Sequence, residues 1–528
     1  MKYLLDKFIY KWPVLTLLLF LTILWTGSVE AATPAQIRTV YHTLNPNSVA
    51  QQLAFYTLYP QSQEGQNSLQ CAWVLLSGRN APQVPIDALS LNSTTISSIV
   101  TLVNKYSPDS VITLSQDELQ LIERLACRLP NRKLRGHHVI KESDLLSLPP
   151  EQIDLARGLF LAQLDEGGDP NVNEQKTRSY EALIDLMALQ ILARLPDNAS
   201  SETKIRAMND FIFTELGFRF PPQAAHAKNI DVYTFLPSVL DSRRGVCLGV
   251  SILYLCLAQR LDLPLEIITP PGHIYVRHPA TKDQAEINIE TTARGIHIDS
   301  EEYLGLNNRS LQKRNIKEVI GLAFFNQASV FWSQNENRKA LTAYQRASRY
   351  MPDDMLLQEL MAYQHILVGN DDEGRKSLEK VRHHLSEHAI SQESIPDDYL
   401  NGTIDAEGIK AVFMQVDETR ESILKKKEAL VKTLERYPKF RAGIFHLAVT
   451  WLQLHRDGEG LEVLKQYHRL EPEDPTAEYY LTVLSATRMD YNSAWKHFHH
   501  LEQILQARNH QPKLLADLRR ELNVASPE

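Results

Sequence analysis

Hydrophobic positions set the first boundaries along this chain. Over residues 49–58, 68–76, 96–106 and 116–127, apolar side chains recur at helical spacing. Pro60, the 78–85 loop and Pro108 interrupt that pattern, and the polar runs at 61–65 and 91–95 read as turns. Further helices are expected from 151 to about 215, followed by a loop at 221–226 that borders a cleft or simply connects. Residues 246–261 differ. Leu248, Val250, Ile252, Leu253, Leu255, Leu257 and Leu261 leave almost no polar stripe, and a helix apolar all round is buried. Beyond it, Ile274-Tyr275-Val276 follows a Pro-Pro-Gly turn and reads as a strand. The weakly alternating 285–291 reads as the next, so the two would pair as a hairpin around 279–284.

From about residue 321 the pattern repeats over a longer interval. Ala328, Phe331, Ala340, Tyr344, Ala347 and Pro352 fit the 34-residue tetratricopeptide template, and Ala362, Gly374, Leu378 and Val381 keep much of it. It returns at Ala448, Trp451, Gly460, Leu464 and Pro472, then at Thr482, Ala494 and Phe498. Pro438 and Pro472 stand 34 apart, which implies a degenerate repeat at 407–440. Small residues mark close helix contacts, and prolines end the second helix. About five repeats over 321–508, with an insertion near 390–404, would form a short superhelix. Such a surface presents a concave face to a protein or peptide ligand; the alternative is a tail that only buttresses the preceding domain.

The chemistry concentrates where the apolar helix begins. Cys247 falls on its first turn, where free N–H groups and the helix dipole favour a thiolate. Gly245 would permit a sharp turn before it, and Gly249 the close approach of another backbone. His273 opens the first strand, and Glu290 ends the second. A thiol, an imidazole and an acid in that order suit nucleophilic acyl transfer, with His273 taking the thiol proton and Glu290 orienting the ring. Asn288, two residues earlier on the strand, is the alternative third residue. A buried cysteine and a satisfied core histidine would fit the same spacing. Cys256 lies nine residues past Cys247, about 180° around the helix, and reads as core packing.

The stretch from about 153 to 303 resembles the bacterial transglutaminase-like proteins that carry a tetratricopeptide tail. The resemblance rests on Ile205-Arg206-Ala207-Met208-Asn209-Asp210-Phe211-Ile212-Phe213-Thr214-Glu215-Leu216-Gly217-Phe218 and Val239-Leu240-Asp241-Ser242-Arg243-Arg244-Gly245. It continues through Tyr254-Leu255-Cys256-Leu257-Ala258-Gln259-Arg260-Leu261-Asp262-Leu263-Pro264 and Pro271-Gly272-His273. It implies a papain-related α+β fold, with Cys247 as nucleophile, His273 as base and Glu290 as orienting acid. Many members of this tailed group lack the nucleophile, whereas this chain keeps Cys247. The usual third residue is Asp, so Glu290 brings one extra methylene and would require a shifted backbone. No Trp lies between Trp73 and Trp332, so the aromatic neighbour of the oxyanion in true transglutaminases is missing; Tyr233 is a candidate replacement.

Composition narrows the alternatives. The chain has 528 residues, enough for several domains, and 43% hydrophobic content is ordinary for globular protein. A net charge of −8 with no basic patch argues against nucleic-acid binding. Lys2, Lys7 and Lys11, an apolar core at 14–25 and small residues around Ala31 read as an export signal. That core is shorter than the ~20 residues of a membrane span; left uncleaved, it would anchor the chain to the inner membrane. The resemblance implies a bacterial periplasm or cell envelope. Four cysteines do not make a disulfide scaffold. Cys71 and Cys127 would pair or, in the preferred reading, stay as two buried thiols.

Two histidine patterns are set aside. His384 to His388 has H-x-x-E-H spacing but sits at a repeat helix end with no third ligand. His497, His499 and His500 read as a helix surface. No cofactor or metal is called for.

These readings combine into four segments: a signal or anchor (1–31), an all-α region (32–150), an α+β transglutaminase-like core (151–310) and an α-solenoid of tetratricopeptide repeats (321–508). The function expected is a thiol hydrolase or acyltransferase acting on protein or peptide amides. The alternative is a non-catalytic interaction scaffold.

Overall fold

The computed structural model describes residues 32–78, 99, 102–103, 114–164, 170–221, 230–417 and 419–528. The chain divides into two units, Met1–Asn104 and Lys105–Glu528. The export segment, most of 96–106 and the 91–95 and 222–226 stretches lie outside the described residues. Among the described residues no helix is long and apolar enough to cross a membrane.

The first unit contains helices Pro34–Thr43, Val49–Leu58 and Gln63–Ser77. The polar stretch expected to be a turn at 61–65 is instead a helix start. Ser62 Oγ accepts from the Gly65 amide at 2.9 Å, so its polarity serves capping. Cys71 is half-buried here, and Cys127 of the second unit is exposed, against the expectation of two buried thiols. Cys127 follows directly on the apolar face of Gln116–Ala126 and turns outward where that helix ends.

The second unit is built around one buried helix. Gln116–Ala126 opens with a Ser115/Glu118 capping box. After it come α1 (Leu155–Leu164), α2 (Pro170–Leu192), helix Ser201–Asn209 with a wide π turn at Asp210–Glu215, α3 (Leu236–Ser242) and α4 (Cys247–Arg260). Every side chain of α4 from Leu248 to Ala258 is buried, as its all-round apolarity requires. Each buried Leu or Ile contributes about 1.5–3 kcal/mol relative to exposure. Against α4 lies an antiparallel sheet of β1 (Glu266–Thr269), β2 (Tyr275–His278), β3 (Ile287–Ile289) and β4 (Gln312–Arg314), ordered β3-β2-β1-β4. The β2–β3 pairing sets Val276 opposite Ile289 and Arg277 opposite Asn288.

A buried ionic cluster anchors the far end of α4. Arg260, wholly buried, donates to Asp185 Oδ1 at 2.6 Å and lies 3.8 Å from Asp154 Oδ1. Asp154 also receives Asn131 Nδ2 and His137 Nδ1, each at 2.9 Å. Burial pushes its carboxyl up, but Arg260, His137 and Asn131 outweigh that and hold it well below the usual range. Gln259 staples the same end, accepting from Leu155 N and donating to Ile153 O.

Beyond β4 the chain is helical: α5 (Ile316–Ser333), α6 (Asn337–Tyr350), α7 (Met355–Leu367), α8 (Asp371–Val381), a short Ile395–Leu400, α9 (Ala406–Phe413), α10 (Arg420–Arg436), α11 (Arg441–Gln453), α12 (Asp457–His468), α13 (Pro475–Thr487), α14 (Tyr491–Ala507) and α15 (Lys513–Ala525). Consecutive helices from α5 pack as pairs, with Ala328, Ala340, Ala347, Ala362, Ala448, Ala477 and Ala494 buried between them. Left-handed residues close the inter-helix turns at Asn335 and Gly369, and again at His455 and Met489, each pair 34 apart. The α+β core and the helical repeat region are therefore both present.

One of the two histidine patterns departs from its expected setting. His384 to His388 is not helical but lies past the end of α8, and His388 Nδ1 meets Ser310 Oγ at 2.7 Å. His497 and His500 remain partly exposed on their helix, and both reach one buried acid. Their Nδ1 atoms each sit 2.7 Å from Glu478, a carboxylate with no exposure, and His468 Nδ1 approaches it at 3.2 Å. His499 pairs with Glu528 at 2.6 Å.

Candidate functional site

Local sequence explains how each site residue is held. Helix α3 ends at Arg243 in the left-handed region (φ 53°), so Arg243, not Gly245, makes the sharp turn before the cysteine. Arg219 then bridges Arg244, and Val246 N donates to Tyr233 O at 3.1 Å. Gly249 is required by the same contact, because a Cβ there would stand 2.1 Å from Tyr233 O. The backbone of Tyr233 thus packs on the first turn of α4. Cys247 is the first residue of α4 and is half-buried. As first-turn residues, Cys247, Leu248 and Gly249 have amides with no acceptor within the helix.

His273 is presented by the Pro270-Pro271-Gly272 turn. Its amide donates to Pro270 O at 3.1 Å, and Gly272 takes the positive φ (72°) that a type II turn requires. Glu290 lies one residue past β3 and caps the 3-10 turn Thr291–Ala293. Its Oε1 accepts from Thr292 N at 3.2 Å and from Thr292 Oγ1 at 2.6 Å. Oε2 lies 2.6 Å from His273 Nε2 and accepts from Tyr303 Oη at 2.9 Å. Glu290 thus reaches His273 from a capping position. Thr291 Oγ1 reaches Cys247 O at 3.5 Å and Ser251 Oγ at 3.0 Å, tying the Glu290 turn to the cysteine turn.

The electrostatics form a connected set. The Cys247 thiol and the Glu290 hydrogen bond together raise the His273 imidazole to about 10, against burial, which opposes its charge. Burial pushes the Glu290 carboxyl up, but hydrogen bonds from His273, Thr292 and Tyr303 leave it below its ordinary value. Burial, then the neighbouring carboxylate, raises the Tyr303 phenol, which stays a donor. With Nε2 engaged by Glu290, Nδ1 is the imidazole nitrogen left to exchange a proton with the thiol.

Cys247, His273 and Glu290 are thus brought together, and Asn288 is not. Its amide donates to Ile298 O at 2.7 Å and Ser300 Oγ at 3.0 Å, holding the loop after Glu290 and not the imidazole. Strand alternation fails to pair Asn288 with Glu290 because the strand stops at Ile289. Cys256 is fully buried, and burial pushes its thiol up. Tyr303 was not legible in the sequence. It lies thirteen residues past Glu290 in a 3-10 turn, Ser300–Tyr303, with no periodic signal. Its ring stacks near-parallel to His273 (5.8 Å, 14°) and to Tyr275 (4.6 Å, 21°). Among the described residues no group of three or more His, Cys, Asp or Glu is disposed to hold a metal ion.

Residues 178–320 match the transglutaminase-like superfamily, so the chain carries a transglutaminase-like domain spanning α2 to the start of α5. Two curated relatives, the UPF0162 proteins of Xylella fastidiosa strains Temecula1 and 9a5c, are each 24% identical over 165 residues, 30% of this chain. The chain spans about half the length of these relatives (53%). Among solved structures, a MamA double mutant (MamA RS-1 ArsTM) is 14% identical, covering 36% of this chain and 97% of its own, with a TM-score of 0.21. A thermophilic TPR protein from Thermus thermophilus is 16% identical, covering 39% and 98%, with a TM-score of 0.20.

Proposed function

We propose that the protein is an exported thiol hydrolase acting on protein or peptide amides, with its repeats engaging a protein partner. The observation that carries this reading is the His273–Glu290 pair at 2.6 Å beside a cysteine on the first turn of α4. With the Cys247 proton already held on His273, the sulfur attacks the amide carbonyl. A C–S bond forms, the C–N bond breaks, and the departing amine takes the proton back from the imidazole. The first-turn amides of α4 face the developing oxyanion. Water, deprotonated by His273, then attacks the thioester and restores the thiolate. Hydrolysis is preferred to amine transfer because no feature marks an acceptor-amine site. Export rests on the N-terminal sequence, and a bacterial envelope on the resemblance, with the chain held to the inner membrane where the signal is retained.

The test is a peptide pool read by mass spectrometry, incubated with the full chain and with Cys247→Ala. New termini or amide-to-acid conversions that depend on Cys247 support the reading. Identical product profiles from the two proteins overturn it.

A further inference from the structure

The residue that fixes the His273–Glu290 pair is tied to the end of the repeat array. Tyr303 is followed three residues later by Leu306, and the intervening turn is hydrogen-bonded. Asn308 Oδ1 accepts from Gly305 N at 2.7 Å, and Asn308 Nδ2 donates to Tyr303 O at 3.1 Å. Leu306 is buried in the apolar core of the last helices, among Trp495, Phe498, Leu501, Leu518 and Leu522. His510 Nε2 lies 2.8 Å from Gly305 O, Asn307 Nδ2 donates to Thr476 Oγ1 at 2.7 Å, and Lys513 pairs with Glu302. Arg309 N donates to His388 O, and Asn308 bridges Ala389, so the insertion after α8 clasps the same strap. Residues far along the chain thus hold a segment whose first residue stacks on the base and bonds the acid.

We propose that Tyr303 is a positioning residue for the His273–Glu290 pair, held in register by α13–α15, so that movement of the last helices changes the reactivity of Cys247. This rests on the thiol-enzyme reading. Two contacts argue for positioning over packing alone. The Tyr303 hydroxyl shares Oε2 with His273, which restricts the carboxylate to one orientation. Its ring lies near-parallel to the imidazole, offset at 5.8 Å between centroids, so that His273 tilts away from Glu290 only by losing this alignment. The strap transmits displacement because its ends are a side chain in the site and a side chain in a packed core, with one hydrogen-bonded turn between them.

The experiment uses the full chain and two readouts: the pH profile of Cys247 alkylation by iodoacetamide, and the His273 titration followed by NMR of 13C-histidine. Tyr303→Ala alters the site directly. Leu306→Ser and His510→Ala loosen the strap without touching Cys247, His273 or Glu290. The inference predicts that each strap variant slows labelling below pH 7 about ten-fold and moves the midpoint towards the free-thiol value of ~8.5. It also predicts a lower His273 titration, little further change when a strap variant is combined with Tyr303→Ala, and recovery in Leu306→Ile. Circular dichroism confirms that the helices persist, and His510→Ala serves where Leu306→Ser does not fold. Wild-type profiles in folded His510→Ala and Leu306→Ser overturn the inference, as does an unmoved titration in Tyr303→Ala. A wild type whose labelling ignores His273 overturns the enzyme reading instead, and the NMR titration still judges the strap.

Discussion

Glu290 offers one carboxylate oxygen to His273 at 2.6 Å and fixes the other on Thr292, so the acid cannot turn away from the base. Glu290→Gln should therefore lower the His273 titration from about 10 towards its ordinary 6.5. Glu290→Asp, one methylene shorter, should not restore it. Histidine NMR across the pH range checks both, and an unmoved titration in Glu290→Gln contradicts the pairing.

The same pair makes stability depend on pH. The His273 value is raised, so its contribution is fully present below 6.5 and is lost as pH rises through about 10. The Glu290 value is depressed, so its contribution is present above 4.5 and is lost as pH falls below that. The stability difference between wild type and Glu290→Gln should be greatest between 4.5 and 6.5 and shrink on both sides. Urea titrations at a series of pH values measure it; a difference that grows above pH 8 would have the wrong sign.

Asp185→Ala leaves the buried Arg260 guanidinium without its 2.6 Å partner. Removing one side of a buried ion pair costs about 3–5 kcal/mol. The loss should appear as a lowered denaturation midpoint of the second unit, and replacement by Asn should recover part of it. A change within ~0.5 kcal/mol, the size of an ordinary surface substitution, would mean that the cluster is not a structural anchor.

Gly249→Ala places a methyl group 2.1 Å from Tyr233 O, a backbone atom that cannot swing aside. Overpacking of this kind costs about 1–3 kcal/mol. It should also slow Cys247 labelling, because the first turn of α4 must shift. Unchanged stability and labelling would show that the 230–234 turn moves freely.

Legibility in the sequence followed periodicity. Helix α4 announces itself because it is apolar all round, and the 34-residue interval because small residues mark every close helix contact. Cys247 and His273 are readable because a glycine-flanked helix start and a Pro-Pro-Gly turn mark them. Glu290 is readable by its distance from His273, but not its capping of the next turn. Tyr303 and the three-histidine grip on Glu478 are set by tertiary contacts between segments with no shared period, so spacing along the chain carries no trace of them.

The most direct measurement is the rate of iodoacetamide labelling at Cys247 against pH, in wild type and in His273→Ala. A working thiolate–imidazolium pair predicts fast labelling below pH 7 that falls about 30-fold at pH 7 in the variant, as the thiolate fraction drops to that of a free thiol. Slow labelling with a midpoint near ~8.5, the same in both proteins, would mean an idle thiol and contradict the account.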